Sequence, residues 1–362
     1  MPAYRTLGLL LCLFSILSAE TSTSLWSRGY SIVPSPQRVQ LDGQDVVLGT
    51  SWTVDAGPLG PRHIAARTLL RDFESLHGLT LKTGGRDASI RLSIAPGTVI
   101  TGGDEEIDRQ GYRLTIRPDR IEIMGNAEEG LFYGVQSLLQ LARRSADGRL
   151  TVPRVVIEDW PSLQLRFLHW DTKHHQDRME TLKRYLDWAA RLKVNMIGFE
   201  LEDKFEYPAH PVIGAPGAFT TAELQELVDY GLERYIQVVP EIQSPAHMAY
   251  VLKHPEFAGL RSNGNNYMAN LCDERSYDLI FSMYDDVIKA TKGVGYFFVS
   301  TDEIYYAGDD PGCKEPYNPV NRSLKWAEFA KRARDFLASR NRRMLAWVEY
   351  PLLPEHVKLL PP

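Results

Sequence analysis

The sequence predicts an α/β protein in which a (β/α)8 TIM-barrel type domain, residues 161–362, follows a small α+β domain, residues 30–160. Two observations support this prediction. From Gln164 onward, short apolar runs alternate with amphipathic helical segments, the pattern of parallel strands joined by helices. Before that point, strands of alternating polarity and two helical segments indicate a sheet with helices on one face.

The α+β domain rests on local signals. Its helices are bounded by stop residues such as Gly78, and Pro118-Asp119 supplies a turn between two of its strands. The predicted helices are Arg62–His77 and Gly130–Ala142. The predicted strands are Val46–Leu48, Trp52–Val54, Ile90–Ile94, Tyr112–Ile116 and Ile121–Ile123.

The barrel-type domain is expected to stop after about five strands, whereas a closed barrel needs eight. Either the chain is a fragment or its sheet stays open, and both readings remain. The predicted strands are Leu165–Trp170, Asn195–Leu201, Gln237–Ile242, the run that ends at Asp302-Glu303, and Met344–Val348. The predicted helices are Met179–Leu192, Thr221–Tyr235, Ser276–Lys292 and Ser323–Arg340.

Composition narrows the class of protein. The chain of 362 residues is 44% hydrophobic and 24% charged, as is usual for a soluble globular protein. A net charge of −5 gives no electrostatic reason to expect nucleic acid or an anionic membrane surface as a partner. The 7 Trp and 17 Tyr residues suit sugar binding, because flat rings stack on pyranose faces, but they also suit a large core.

The N-terminus predicts export. Arg5 precedes an apolar run from Leu7 to Leu17, and Ala19 follows, so residues 1–19 are expected to be a signal peptide. The run is short for a bilayer span, and an uncleaved anchor is the alternative. A secreted or periplasmic protein is therefore expected. An oxidising compartment would permit a disulfide between Cys272 and Cys313, although the sequence leaves their proximity open. No spacing indicates a zinc site, and no cofactor or metal is expected.

Two adjacent carboxylates, Asp302 and Glu303, end a short apolar run that predicts a buried strand. Other polar side chains follow the remaining strands, and the carboxyl ends of barrel strands form the rim where barrel enzymes hold their active sites. These side chains are Asp171 with Lys173, Glu202 with Asp203, Gln243 with His247, and Trp347 with Glu349. The plain alternatives are a solvated loop after Asp171, an exposed turn at Asp203, a backbone contact for His247 and a core position for Trp347.

The segment from Leu168 to Gly308 resembles the catalytic domain of family 20 glycoside hydrolases, the β-N-acetylhexosaminidases, and is most similar to their hexosaminidase D-like branch. The region Tyr30–Gln140 is similar to the non-catalytic α+β domain that precedes such barrels. The segments that carry the resemblance are Phe199–Phe205, Pro240–His247, Val251–Phe257, Asp302–Tyr305 and Gly130–Gln140.

The resemblance implies retaining hydrolysis in which the substrate's own 2-acetamido oxygen attacks the anomeric carbon. Asp302 would hold and polarise the acetamido group, and Glu303 would act as general acid and then as base. Two close acids push their pKa values apart, which suits one charged and one protonated partner. His247 and Asp203 match the supporting pair that would orient Glu303.

Substrate-binding positions also follow from the resemblance. Asp171 matches the acid after the first strand, Trp347 matches a pocket-wall aromatic, and Glu349 would join them. Lys173 stands where the family usually has an arginine that grips the distal hydroxyls, and lysine lacks the bidentate fork. The other departures are Gly198 and Glu200 in place of histidines and Ser300-Thr301 in place of glycine or alanine. The strands that would bring the acetamido-binding tyrosine and further pocket tryptophans are also absent from this sequence.

The first hypothesis is therefore an exo-acting β-N-acetylhexosaminidase, or the N-terminal part of one, whose partners are N-acetylated amino-sugar glycans. The alternative is a catalytically impaired carbohydrate-binding pseudoenzyme or a fragment of such a hydrolase. A third hypothesis is a glycosidase that uses Asp302 and Glu303 as a conventional pair. Adjacent residues are poorly suited to placing two carboxyl groups about 5 Å or more apart across a sugar, so this hypothesis ranks lowest.

Overall fold

The computed structural model describes residues 22–84, 89–172, 175–310, 312–313 and 319–359. The chain forms two compact units, Met1–Pro161 and Ser162–Pro362. The predicted signal peptide and Lys173 lie outside the described residues, so the structure does not test them. Within the described ranges, no helix combines the length and apolar character needed to cross a membrane.

The first unit contains a seven-stranded mixed sheet in the order β1-β10-β6-β7-β5-β3-β4 and a three-stranded sheet in the order β2-β9-β8. Its helices are α1 (Ser22–Ser27), α2 (Ile64–His77), α3 (Glu105–Arg109) and α4 (Glu128–Leu141). Its strands are β1 (Arg38–Leu41), β2 (Val46–Leu48), β3 (Thr53–Asp55), β4 (Lys82–Thr83), β5 (Ile90–Ile94), β6 (Tyr112–Arg117), β7 (Arg120–Gly125), β8 (Arg143–Arg144), β9 (Leu150–Val152) and β10 (Val155–Asp159).

The α+β prediction agrees with this unit. Strands β6 and β7 pair antiparallel across the predicted turn, and each buries every second side chain. Helix α4 packs on β5, β6 and β7, and α2 packs against α4. Helix α2 begins at Ile64 rather than at the predicted Arg62, because the His63 side chain accepts a hydrogen bond from the Ala65 amide and caps the helix. Strands β1, β4, β8, β9 and β10 were not predicted, and the shortest of them, β4 and β8, have only two residues each and show no periodicity.

The second unit contains one sheet of five parallel strands in chain order, β11 to β15. All five predicted strands are present. They are β11 (Phe167–Asp171), β12 (Met196–Glu200), β13 (Gln237–Gln243), β14 (Tyr296–Ser300) and β15 (Arg343–Ala346). The helices are α5 (Met179–Arg191), α6 (Thr221–Leu232), α7 (Ala249–Leu252), α8 (Glu274–Lys289) and α9 (Pro319–Ala338). Short 3-10 helices lie at Glu202–Lys204, Pro255–Leu260, Ser262–Gly264 and Pro354–Leu359 in this unit, and at Gly57–Leu59 in the first unit.

The two faces of the second sheet differ. Helices cover one face, where the ring of Tyr284 from α8 packs 4.7 Å from that of Phe297. The opposite face carries a layer of rings and polar groups. The ring centroids of Phe167 and Phe298 are 5.7 Å apart, and those of Phe298 and Trp347 are 5.0 Å apart. The predicted site residues follow the carboxyl ends of the strands, at the edge of this second face.

A disulfide joins Cys272 and Cys313, two cysteines whose proximity the sequence left open. The two Cα atoms are 5.1 Å apart and the residues are separated by 41 positions. The bond ties the loop before α8 to the segment after β14. In the chain-entropy account, closing a loop of this length destabilises the unfolded chain by about 4 kcal/mol. The segment after the Asp302-Glu303 pair is therefore held to the loop that precedes α8.

Candidate active site

The two adjacent acids lie just beyond β14, and one imidazole contacts both of them. His247 follows β13, and its Nε2 lies 3.3 Å from Asp302 Oδ2 and 3.2 Å from Glu303 Oε2. Consecutive side chains on a strand point to opposite faces, but β14 ends at Ser300, so both carboxylates can turn to the same side. The structure therefore brings together three of the predicted site residues, although His247 precedes the two acids by at least 55 positions in the chain.

Backbone strain accompanies this arrangement. His247 and Glu303 both have a φ of +52°, in the left-handed region that non-glycine residues rarely adopt. Such residues cost about 1–3 kcal/mol and persist where their surroundings hold them. The Tyr267 hydroxyl donates to the Glu303 carbonyl at 3.0 Å and lies 3.1 Å from His247 Nε2. The Glu349 carboxylate accepts the Glu303 amide at 3.0 Å.

The environments of the two acids differ. The Asp302 side chain is 23% exposed and the Glu303 side chain is 48% exposed. Burial raises the pKa of Asp302, but the hydrogen bond and charge of His247 outweigh it, so the pKa lies below its ordinary value. Asp302 is therefore ionised at neutral pH. Burial raises the pKa of Tyr267, which keeps this hydroxyl neutral as a hydrogen-bond donor.

The remaining predicted residues occupy several positions, and their roles stay predictions. Trp347 lies just past β15 and is 37% exposed, so it is not a core residue. Asp171 ends β11, is exposed, and pairs in register with Glu200. The Asp203 carboxylate contacts Lys204 Nζ and lies 3.7 Å from Lys253 Nζ, so two lysines neighbour this predicted supporting residue.

Sequence reasoning missed an aromatic group beside the acids. The rings of Tyr267 and Tyr305 stack with centroids 5.9 Å apart, and Tyr350 lies 5.6 Å from Tyr305. Tyr305 and Tyr350 are each more than 40% exposed and offer flat apolar faces. Tyr267 comes from an irregular loop without periodicity, so only the three-dimensional fold indicates its place at the site.

A polar cluster of two buried glutamates and one partly exposed histidine, also missed as a group, lies on the same face of the sheet. It consists of His169, Glu200 and Glu241, and we call it the His–Glu–Glu cluster. His169 Nε2 lies 3.4 Å from Glu200 Oε2 and 3.0 Å from Glu241 Oε2. Hydrogen bonds to Glu200 and Glu241 raise the pKa of His169 to about 10. Burial raises the pKa of Glu241 against the influence of His169. The available signal was three ionisable residues inside apolar strand segments.

A single hydroxyl links this cluster to the catalytic candidates. Ser300 Oγ lies 2.9 Å from Glu241 Oε1 and 3.0 Å from Asp302 Oδ1. A serine hydroxyl has one proton, so it can donate to one of these carboxylates at a time. Ser300 was noted in the sequence only as a departure from the family pattern. Its side chain connects the His–Glu–Glu cluster to Asp302.

Comparisons with known proteins agree with this architecture. Residues 29–160 match the profile of glycosyl hydrolase family 20, domain 2, and residues 164–358 match that of the glycosyl hydrolase family 20 catalytic domain. A β-hexosaminidase of Porphyromonas gingivalis is 24% identical in an alignment 394 positions long, which covers 93% of this chain and 48% of that protein. Hexosaminidase D of Bos taurus is 31% identical over 147 residues, covering 40% of this chain and 42% of that protein.

A solved structure extends the likeness to the fold. The chain superposes on a mutant Streptomyces plicatus β-hexosaminidase in complex with the product GlcNAc, with a TM-score of 0.72 and 23% identity. The match covers 87% of this chain and 65% of that one. The chain spans about half the length of the curated relatives it matches. These findings confirm the predicted α/β barrel-type fold.

Proposed function

The chain belongs to glycosyl hydrolase family 20, and on that premise we propose that it is an exo-acting β-N-acetylhexosaminidase that releases terminal N-acetyl-hexosamine residues from glycans. The observation that carries the proposal is the His247 imidazole in contact with both adjacent carboxylates. The match to the catalytic-domain profile confirms the resemblance to this family, and hexosaminidase D is among the similar proteins. The pseudoenzyme alternative has no support from the relatives, which are named as hexosaminidases.

The roles of the two acids follow from their environments. The ionised, partly buried Asp302 accepts a hydrogen bond from the acetamido N–H and directs the acetamido oxygen at the anomeric carbon. Its negative charge then stabilises the positive charge that develops on the acetamido group. Glu303 protonates the leaving oxygen and afterwards activates water. No protein nucleophile is needed, as expected for a substrate-assisted family.

Recognition of the sugar relies on the exposed rings near the acids. Trp347, Tyr305 and Tyr350 present apolar faces that suit stacking on a pyranose. Asp171 and Glu349 supply carboxylates for hydroxyl groups at the same strand ends. Lys173 remains the candidate for the distal hydroxyls, with a point charge in place of the usual guanidinium fork.

The substrate requirement tests the proposal. The full chain is expected to release nitrophenol from 4-nitrophenyl N-acetyl-β-D-glucosaminide and not from the matching β-glucoside, because only the first carries the acetamido nucleophile. Turnover is expected to be blocked by a thiazoline analogue of the cyclic intermediate. Hydrolysis of both substrates would instead support a conventional carboxylate pair. Binding of N-acetylglucosamine without turnover of either would support a binding protein.

Replacing His247 by alanine is expected to move the acid limb of the pH profile of kcat/KM to higher pH. In the intact site His247 lowers the pKa of Asp302 against the effect of burial. Without the imidazole, burial raises that pKa, and a larger fraction of Asp302 is protonated at a given acidic pH. His77→Ala in the first unit is the control and should leave the limb in place. An unchanged limb in His247→Ala would contradict the assigned coupling.

We further propose that the protein is exported, with residues 1–19 as its signal peptide. The Cys272–Cys313 disulfide supports this, because such bonds form and persist mainly in oxidising compartments.

A further inference from the structure

We propose that the His–Glu–Glu cluster is a binding site for a divalent transition-metal ion of the zinc class. The cluster uses one side chain from each of three neighbouring strands: His169 from β11, Glu200 from β12 and Glu241 from β13. Rigid strands place ligands more reproducibly than loops do. The proposal concerns binding alone and does not rest on the hydrolase activity.

The spacing of the donor atoms fits tetrahedral coordination. The imidazole Nε2 lies 3.0 Å from one carboxylate oxygen and 3.4 Å from the other, and each of the three residues offers a ligand atom within 4.8 Å of the other two. A tetrahedral zinc ion with ligands at about 2.0–2.1 Å has its ligand atoms about 3.3 Å apart. Three protein ligands would leave one position for water, as in open zinc sites.

Both carboxylates are oriented by neutral donors on their outer oxygens. Gln243 Nε2 donates to Glu200 Oε1 at 2.7 Å, and Ser300 Oγ contacts Glu241 Oε1 at 2.9 Å. The inner oxygens, both named Oε2, are the ones that converge on His169. Glu241 Oε2 is buried, and within the described part of the chain its polar contact is His169 Nε2, 3.0 Å away. Hydrogen bonds of this kind orient the ligands of protein metal sites.

The charge balance also favours a divalent ion. Glu200 and Glu241 are both fully buried, so ionising both carboxylates would place a charge of −2 away from water. A protonated His169 would leave a net charge of −1, whereas a divalent ion with a neutral imidazole leaves none. The His169 side chain is 31% exposed, which gives an ion a route to the buried oxygens.

A missing side chain makes room for the cluster. A Cβ at Gly198 would lie 3.1 Å from Glu241 Oε2 and 2.5 Å from the Phe167 ring. Any larger residue at this position would therefore displace the Glu241 carboxylate or the ring.

Mixed nitrogen and carboxylate ligands suit zinc better than magnesium or calcium, which prefer six or more oxygen ligands.

The test is a zinc titration of the chelator-treated full chain, followed by calorimetry and by thermal unfolding. We expect one zinc ion per chain and a rise in Tm, with no comparable effect of magnesium. His169→Gln and Glu241→Gln are each expected to weaken binding at least about tenfold. His175→Gln is the matched control, since the exposed His175 lies outside the cluster, with its Nε2 3.2 Å from Asp177 Oδ2.

Two outcomes would overturn the proposal: no stoichiometric binding, or equal affinity in His169→Gln and the intact chain. Either would identify the cluster as a proton-bridged ion triad. Should the variants fail to fold, cobalt provides a measurement on the unchanged chain. Cobalt in a tetrahedral nitrogen–oxygen site gives visible absorption bands that zinc displaces, and their absence would equally rule the site out.

Discussion

Glu303→Gln is expected to lower kcat for hydrolysis of N,N′-diacetylchitobiose by about 10²–10⁴-fold, the usual contribution of a general acid–base group. Glutamine keeps the size of the side chain but cannot hold or transfer the proton. The loss should be smaller for the nitrophenyl substrate in the first chemical step, because nitrophenolate leaves without protonation. The half-exposed position of Glu303 next to His247 gives it access to both the leaving oxygen and water.

The comparison of leaving groups separates acid catalysis from general damage to the site. Glu180→Gln, an exposed change in the first turn of α5, is the matched control and should keep the activity of the intact chain. Equal losses of kcat/KM, which reports the first chemical step, for both substrates would argue that glutamine disturbs the fold or binding. Full activity of Glu303→Gln would remove this residue from the mechanism.

Asp302→Asn is expected to lower kcat by about 10²–10³-fold, the range found when one preorganised electrostatic contact to a transition state is lost. The amide keeps the shape of the side chain beside His247 and Ser300. It loses the negative charge that stabilises the cyclic cation formed from the acetamido group. Inhibition by the thiazoline analogue should weaken in parallel, because that inhibitor resembles the same intermediate.

Thiazoline affinity is the decisive measurement for Asp302, because this inhibitor carries the cyclic group that the carboxylate is proposed to contact. Asp278→Asn on the exposed side of α8 is the control. Unchanged thiazoline affinity in Asp302→Asn would contradict the acetamido-orienting role, whatever happens to kcat.

Much of the fold was determined by local sequence. The apolar runs at the five parallel strands are each too short for a helix, and the intervening segments have helical periodicity, so element type could be assigned without knowledge of neighbours. The same rule located the candidate acids, because a polar residue directly after a buried strand falls at the rim of a parallel sheet. Element ends were less certain: α9 begins at Pro319 rather than at Ser323.

What the sequence by itself determined, then, is the order of strands and helices and the rim positions of Asp302, Glu303 and His247. Only the tertiary structure decided which side chains meet: the imidazole between the two acids, Tyr267 beside them, the cysteine pair and the buried cluster of His169 with two glutamates. The physical reason is that periodicity reports how one segment buries its own surface. Contacts between distant residues depend instead on the register of strands and the path of loops, which the packing of the whole unit sets.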